Sequence, residues 1–291
     1  MRRKKISIII KSLVSIVLIL FLCLKIDIIQ IKKLTVADVF PYLSAGVIIT
    51  LAALLIMSYR WKILIKEFLH RELSIRTLYT YYLIGTFFNT LMPGAIGGDI
   101  IRTERLHKRH GLSLKACTAI TIAERMAGIY GLMLLLSISI AIGNYPDSFT
   151  IRKHIPQCLL LSTPVLVILL IPLIKKLLRS RNVETSYSFM AKTVAVLLLS
   201  QMGDILIAWG LSEYFNLHIG FYAFLFIMPL VYVATVLPIS LGGLGVREGT
   251  FSGLMTLYGV EISTAVTISL FMYLIKLCTG IIGYATYIPN K

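Results

Sequence analysis

The sequence predicts an all-α polytopic membrane protein: one transmembrane domain over residues 1–291, made of two inverted halves of about 1–145 and 146–291. Each half is expected to hold three spans and one re-entrant or broken-helix hairpin. Three observations lead there. The chain combines a mean hydropathy of +0.86 with 57% hydrophobic and only 14% charged residues, and runs of about 18 or more apolar residues are membrane-span candidates. A phrase interrupted by proline and paired glycines occurs twice. The basic residues sit in short clusters between the apolar runs.

The runs cover 6–24, 39–58, 78–101, 115–142, 155–174, 193–212, 219–240 and 262–288. MRRKK before the first run resembles the start of a signal peptide, but the run lacks a small-residue cleavage site, so a retained first span is expected. Eight full crossings would divide the loop bases evenly between the two sides, against the positive-inside rule. If 78–101 and 219–240 instead dip in and return, the clusters at 60–76, 102–115 and 175–192 all fall on the cytoplasmic side. That arrangement predicts a multi-pass protein of the plasma membrane with both termini cytoplasmic.

The two dipping runs carry the repeated phrase, NTLMPGAIGGDIIRTERL at 89–106 and ATVLPISLGGLGVREGTF at 234–251. A constant offset of 145 aligns Thr90 with Thr235, Pro93 with Pro238, Gly97-Gly98 with Gly242-Gly243, and Arg102 with Arg247. An acid follows each arginine, Glu104 in one copy and Glu248 in the other. Proline removes a backbone donor and clashes with the preceding turn, and each glycine costs a helix roughly 1 kcal/mol relative to alanine. A helix is therefore expected to break there. Irregular backbone at membrane depth survives only against protein or an aqueous cavity, so each break is expected to face an interior. An odd number of crossings before the second half makes the halves inverted repeats, whose substrate site lies near the midplane where the broken elements meet. The alternative is two full spans with glycine-mediated helix packing.

A Gly-Gly step before a helix leaves backbone N–H groups uncovered at the positive end of the helix dipole. An arginine one turn further in adds a fork suited to phosphate oxygens. The candidate substrate-binding set is Gly97, Gly98, Asp99, Arg102, Glu124, Arg125, Asp204, Gly242, Gly243, Arg247 and Glu248. Ionisable residues in apolar surroundings mark functional paths because their burial costs several kcal/mol unless they are paired; Glu104 and Lys276 are further functional candidates on that ground, outside the substrate-binding set. For Arg102 the competing reading is a topology-setting charge beside Arg105, Lys108 and Arg109, and for each of the others a structural ion pair. The lysine-and-hydroxyl ending of a nucleotide-binding loop is missing. His107, His110 and His154 sit in expected loops without metal-ligand spacing, and Cys23, Cys117, Cys158 and Cys278 are scattered singly through apolar segments. Hence no cofactor, metal or nucleic acid is expected. The segment 60–77 mixes bases with Ile63, Leu64, Phe68 and Leu69 at helical spacing, which suggests an amphipathic connector on the cytoplasmic face, with contact to anionic lipid as one use.

MPGAIGGDIIRTERL, AERMAG at 123–128 and LPISLGGLGVREG together resemble the transmembrane region of lysylphosphatidylglycerol synthases and the wider flippase-like family, over about residues 10–288. The resemblance implies a lipid translocase, which in full-length synthases moves aminoacylated phosphatidylglycerol between leaflets. Asp99, Arg102, Glu124, Arg125, Arg247 and Glu248 stand at the matching motif positions. This chain stops at Lys291, where full-length synthases continue into a cytoplasmic aminoacyl-transfer domain, so the synthase activity is not expected. The leading expectation is a non-enzymatic transporter of an anionic or phosphate-bearing membrane lipid. The alternatives are an integral-membrane transferase or hydrolase on a polyprenyl-phosphate or phospholipid, and an accessory scaffold for a cell-envelope enzyme. The lipid's identity, the energy coupling and the oligomeric state are left open.

Overall fold

The computed structural model describes residues 36–91, 97–142, 187–236 and 245–288. The described residues form eight α-helices and no strands: α1 Val36–Leu69, α2 Ile75–Leu91, α3 Gly97–His110, α4 Leu114–Ile142, α5 Tyr187–Tyr214, α6 Phe221–Val236, α7 Val246–Thr256 and α8 Ile262–Tyr287. Four stretches, Asp38–Leu69, Leu114–Ile142, Lys192–Tyr214 and Ile262–Tyr287, are long and apolar enough to cross a membrane. The protein is an all-α polytopic membrane protein. A crossing takes about 20 helical residues, and the 17 of α2 and 16 of α6 are fewer. The runs 6–24 and 155–174 lie outside the described residues, as do Pro93, Pro238, Gly242 and Gly243.

The order long, short, short, long occurs twice. A shift of 145 carries Leu69, Leu91 and Ile142, the last residues of α1, α2 and α4, onto Tyr214, Val236 and Tyr287, the last residues of α5, α6 and α8. Thr90 and Thr235 do the same work in the two copies. Each hydroxyl donates to the carbonyl three residues earlier, Phe87 O at 2.6 Å and Tyr232 O at 2.7 Å, in the closing turn of its helix. Packing follows the same shift: α1 lies against α5, α4 against α6, and α8 against α2. Exchange of the halves maps the first pair onto itself and the other two onto each other, the pattern of a two-fold interface.

Helices α1 and α5 run antiparallel. The ring of Tyr42, early in α1, packs tilted against that of Tyr214 at the end of α5, with centroids 4.6 Å apart, while Gly203 abuts Ile49 and Ala53. Further along α1, Arg60 Nη1 donates to Ser200 Oγ at 3.0 Å and the Tyr59 ring lies 5.5 Å from Lys192 Nζ. Two apolar cores result. One joins α1, α2, α3 and the first turns of α4 around Trp61, Ile65, Leu78 and Ile120. The other joins α5 to α8 with the later turns of α4, through Leu135, Leu136 and Ile140.

The expected connector at 60–77 is not a separate surface helix. Helix α1 runs unbroken to Leu69, and Arg60, Trp61, Leu64, Ile65 and Phe68 are all buried. Their three-and-four spacing continues the inward face of the span. Only its end is exposed, where Lys66 pairs with Glu72. His107 and His110, expected in a loop, belong to the last turn of α3; the His110 ring nitrogen lies 3.2 Å from the Tyr81 hydroxyl.

Two contacts draw the helices close together. A Cβ on Gly98 would stand 2.1 Å from the carbonyl oxygen of Gly85, and one on Gly283 2.1 Å from that of Leu83. Only glycine allows α3 and α8 to lie this close to α2.

Candidate functional site

Each half gathers its four helices around one ionic cluster. In the first, Glu124 of α4 is the hub. Its Oε1 accepts from Arg60 Nη2 of α1 at 2.7 Å and from the Tyr82 hydroxyl of α2. Its Oε2 lies 2.6 Å from Arg102 Nη2 of α3. Arg102 also reaches Asp99 Oδ1, with Nη2 at 2.7 Å and Nε at 2.9 Å, and Arg125 pairs with the other Asp99 oxygen. The Arg102 guanidinium stacks on aromatic faces, 4.4 Å from the Tyr82 centroid and 5.1 Å from that of Trp61, a cation–π arrangement that strengthens when water is absent.

The Arg60 and Glu124 side chains are only 3% and 1% exposed. Burying opposite charges of this kind is tolerated when geometry and hydrogen bonds offset the desolvation. The offset is incomplete: Arg102 Nη1 and Arg60 Nε are buried without a hydrogen-bond partner among the described residues. With three arginines against two carboxylates, the cluster carries a net positive charge.

The second cluster has the same plan with other residues. Asp204 of α5 accepts from the Tyr232 hydroxyl of α6, and Lys276 Nζ of α8 lies 3.0 Å from that hydroxyl and 3.5 Å from Asp204 Oδ2. Arg247 of α7 gives Nε and Nη2 to Glu248 Oε1, at 3.1 and 2.6 Å, with its guanidinium 5.4 Å from the Tyr273 centroid. Two bases balance two acids. The pair is more open than its counterpart, with the Lys276 and Asp204 side chains 25% and 29% exposed.

Of the residues expected from sequence, Asp99, Arg102, Glu124 and Arg125 come together in the first cluster, and Asp204, Arg247, Glu248 and Lys276 in the second. Glu104 joins neither: it lies on the exposed face of α3, paired with Lys108 at 2.6 Å. Of the paired glycines, Gly98 sits at a close helix crossing, while Gly242 and Gly243 lie outside the described residues. The Gly98 N–H donates to Asn89 Oδ1 at 2.7 Å, and the Gly245 N–H, at the start of α7, donates to Glu248 Oε2 at 2.7 Å. Side chains of the protein thus already occupy an amide at each helix start, and Gly98 is needed for the approach to Gly85. Arg60, Trp61, Tyr82 and Tyr232 were missed. For Arg60 and Trp61 the readable signal was the apolar spacing that runs on past position 60.

Helices long enough to cross a bilayer, folded around a charged interior, define a polytopic membrane protein whose ionic groups face its own helices. Residues 8–283 match the lysylphosphatidylglycerol synthase TM region, and the chain belongs to this family. No curated protein matches it. Membership associates the chain with lipid-related processes, with membrane lipids as its immediate partners.

Proposed function

We propose that the chain is a lipid translocase of the plasma membrane, with both termini cytoplasmic, that moves a phosphate-bearing lipid headgroup between its two ionic clusters without covalent chemistry. The observation that carries the reading is a guanidinium at the same repeated position in each half, Arg102 and Arg247, held inside four helices rather than at a loop. In the bilayer the halves are inverted repeats. The antiparallel run of α1 against α5 supports this, because helices related by an axis in the membrane plane point opposite ways.

Arginine is suited to the task, since its planar fork binds two phosphate oxygens at once and never loses its charge. Arg102 Nη1 is buried without a hydrogen-bond partner among the described residues. Arg247 presents Nε and Nη2 to a single Glu248 oxygen, so its remaining N–H groups are the ones directed to a ligand. The helix-start amides contribute less than the sequence suggested, because Asn89 and Glu248 already take one at each start.

The test is lipid movement between leaflets of proteoliposomes, followed with a fluorescent phospholipid. Arg102→Ala and Arg247→Ala are each expected to slow it at least tenfold, the effect of about 1.4 kcal/mol. Unchanged movement in both variants would remove the anion clamp from the mechanism.

A further inference from the structure

The two clusters share a frame and differ in one chemical respect. In the first, the ion pair between the outer two helices joins an arginine of α1 to a glutamate of α4. In the second, the corresponding pair joins an aspartate of α5 to a lysine of α8. The polarity is reversed, and the cation has changed type. A tyrosine from the short helix, Tyr82 or Tyr232, donates to the carboxylate in both.

Arginine stays protonated in proteins, whereas a lysine in a desolvated site gives up its proton readily. The Arg60–Glu124 pair is closed, at 2.7 Å and almost fully buried, with a second guanidinium on the same carboxylate. The Asp204–Lys276 contact is 3.5 Å, and both partners are about a quarter exposed. Lys276 is the fifteenth of the 26 residues of α8, so its cation sits near the middle of a spanning helix, where charge is most costly.

We propose that Asp204 and Lys276 form a proton-exchange site that binds and releases a proton from the aqueous phase as the protein works. The step balances simply. The Lys276 ammonium passes one proton to water, becoming a neutral amine, and Asp204 stays a carboxylate held by the Tyr232 hydroxyl; proton uptake restores the ion pair. The loss falls on Lys276 because Asp204, its one ion-pair partner among the described residues, is loosely held and shared with Tyr232.

Among the described residues, charged and titratable groups reach the pair from α6, α7 and α8. Tyr232 comes from α6, Arg247 and Glu248 from α7, and Tyr273 from α8 itself. The charge of Arg247 opposes that of Lys276, and Glu248 offsets it. Helix α1 meets α8 at Gly46 against Ile275, and α2 meets it at Leu83 and Thr90 against Gly283 and Gly280, contacts without charge.

The site is testable without knowing the lipid, so its failure would leave the translocase reading standing. The purified full chain is exposed to trace acetic anhydride over a range of pH, and acetylation of each lysine is measured by mass spectrometry, since only the neutral amine reacts. Exposed Lys108 is the internal standard. Lys276 is expected to reach half-maximal reactivity about one pH unit or more below Lys108, a tenfold difference in proton activity. Asp204→Asn, which removes the carboxylate, is expected to lower that midpoint further. A Lys276→Cys variant treated with a small neutral thiol reagent reports access. A midpoint at or above that of Lys108, or one unmoved by Asp204→Asn, overturns the proposal. So does a silent lysine at a position where the cysteine reacts, and so does a cysteine that fails to react.

Discussion

The two halves place the same kinds of side chain around the same four-helix frame, yet one is built on a sealed ion pair with net positive charge around it while the other has a more open pair and balanced charge. Both have an arginine at the repeated position of their third helix and a tyrosine from their second. They part at the outer helices, where arginine–glutamate becomes aspartate–lysine. The shared frame therefore fixes where the charges lie, while their sign and strength differ between the halves. A site that must hold its ions together and a site that can let a proton go are built on one backbone plan.

The largest way to break this comparison is to remove the hub of the sealed cluster. Glu124→Gln leaves Arg60 and Arg102 facing each other across a buried space, and loss of one partner from a buried pair costs about 3–5 kcal/mol. Asp204→Asn, at a partly exposed pair, is expected to cost only about 1 kcal/mol. Thermal unfolding in detergent checks both. Equal losses would mean that the difference in burial has no energetic weight.

A second contrast lies between α3 and α7. Gly98→Ala in α3 drives a methyl into the Gly85 carbonyl, and overpacking of this kind costs about 1–3 kcal/mol. Gly249 and Gly253 in α7 have nothing within 4 Å of an added Cβ. Alanine at either is expected to raise stability by up to about 1 kcal/mol, through helix propensity. The sign of the change, read from the same unfolding experiment, sharpens or removes the difference in packing between the halves.

The smallest effect concerns the surface of α3. Its hydrogen bond and charge let Lys108 hold the Glu104 carboxyl below the usual carboxylate range. Its contribution to stability is therefore present above the ordinary carboxylate pKa and lost as pH falls through the lowered value. Because the pair is exposed and screened, Glu104→Gln is expected to leave the melting temperature unchanged across that interval. A clear shift would mean that α3 is anchored from outside as well as from its buried face.

The sequence made the repeat legible, because a proline, a glycine pair and an arginine at one constant offset survive any drift in the apolar residues between them. Ionisable residues inside apolar runs were equally readable, which is how Glu124, Asp204 and Lys276 came forward. Arg60 was not, because it stands at the end of an apolar run beside Lys62 and Lys66 and reads as the first of a surface group. The burial of Trp61, Ile65 and Phe68 around it shows that the helix has not yet left the core, for which the apolar spacing past position 60 is the one sign in the sequence. The glycine pair of the first copy is ambiguous for a different reason. An unobstructed amide and a close helix crossing call for the same residue, and the choice between them rests on Asn89, which the phrase contains without marking its role, and on Gly85, which lies outside it. Tyr82 and Tyr232 could not be singled out among 15 tyrosines without knowing which carboxylate each faces.

The crossed packing of α4 on α6 and α8 on α2 bears on how such a chain is made. The groove beside the Leu83 carbonyl is filled by Gly283, which is synthesised 200 residues after it, so the first half waits, incompletely sheathed, until α8 has been made. A half-length chain on the same plan would have no α8 of its own to wait for. It would complete itself by lending its fourth helix to an oppositely oriented copy and borrowing one in return, so that the present protein has the form of such a reciprocal pair joined end to end.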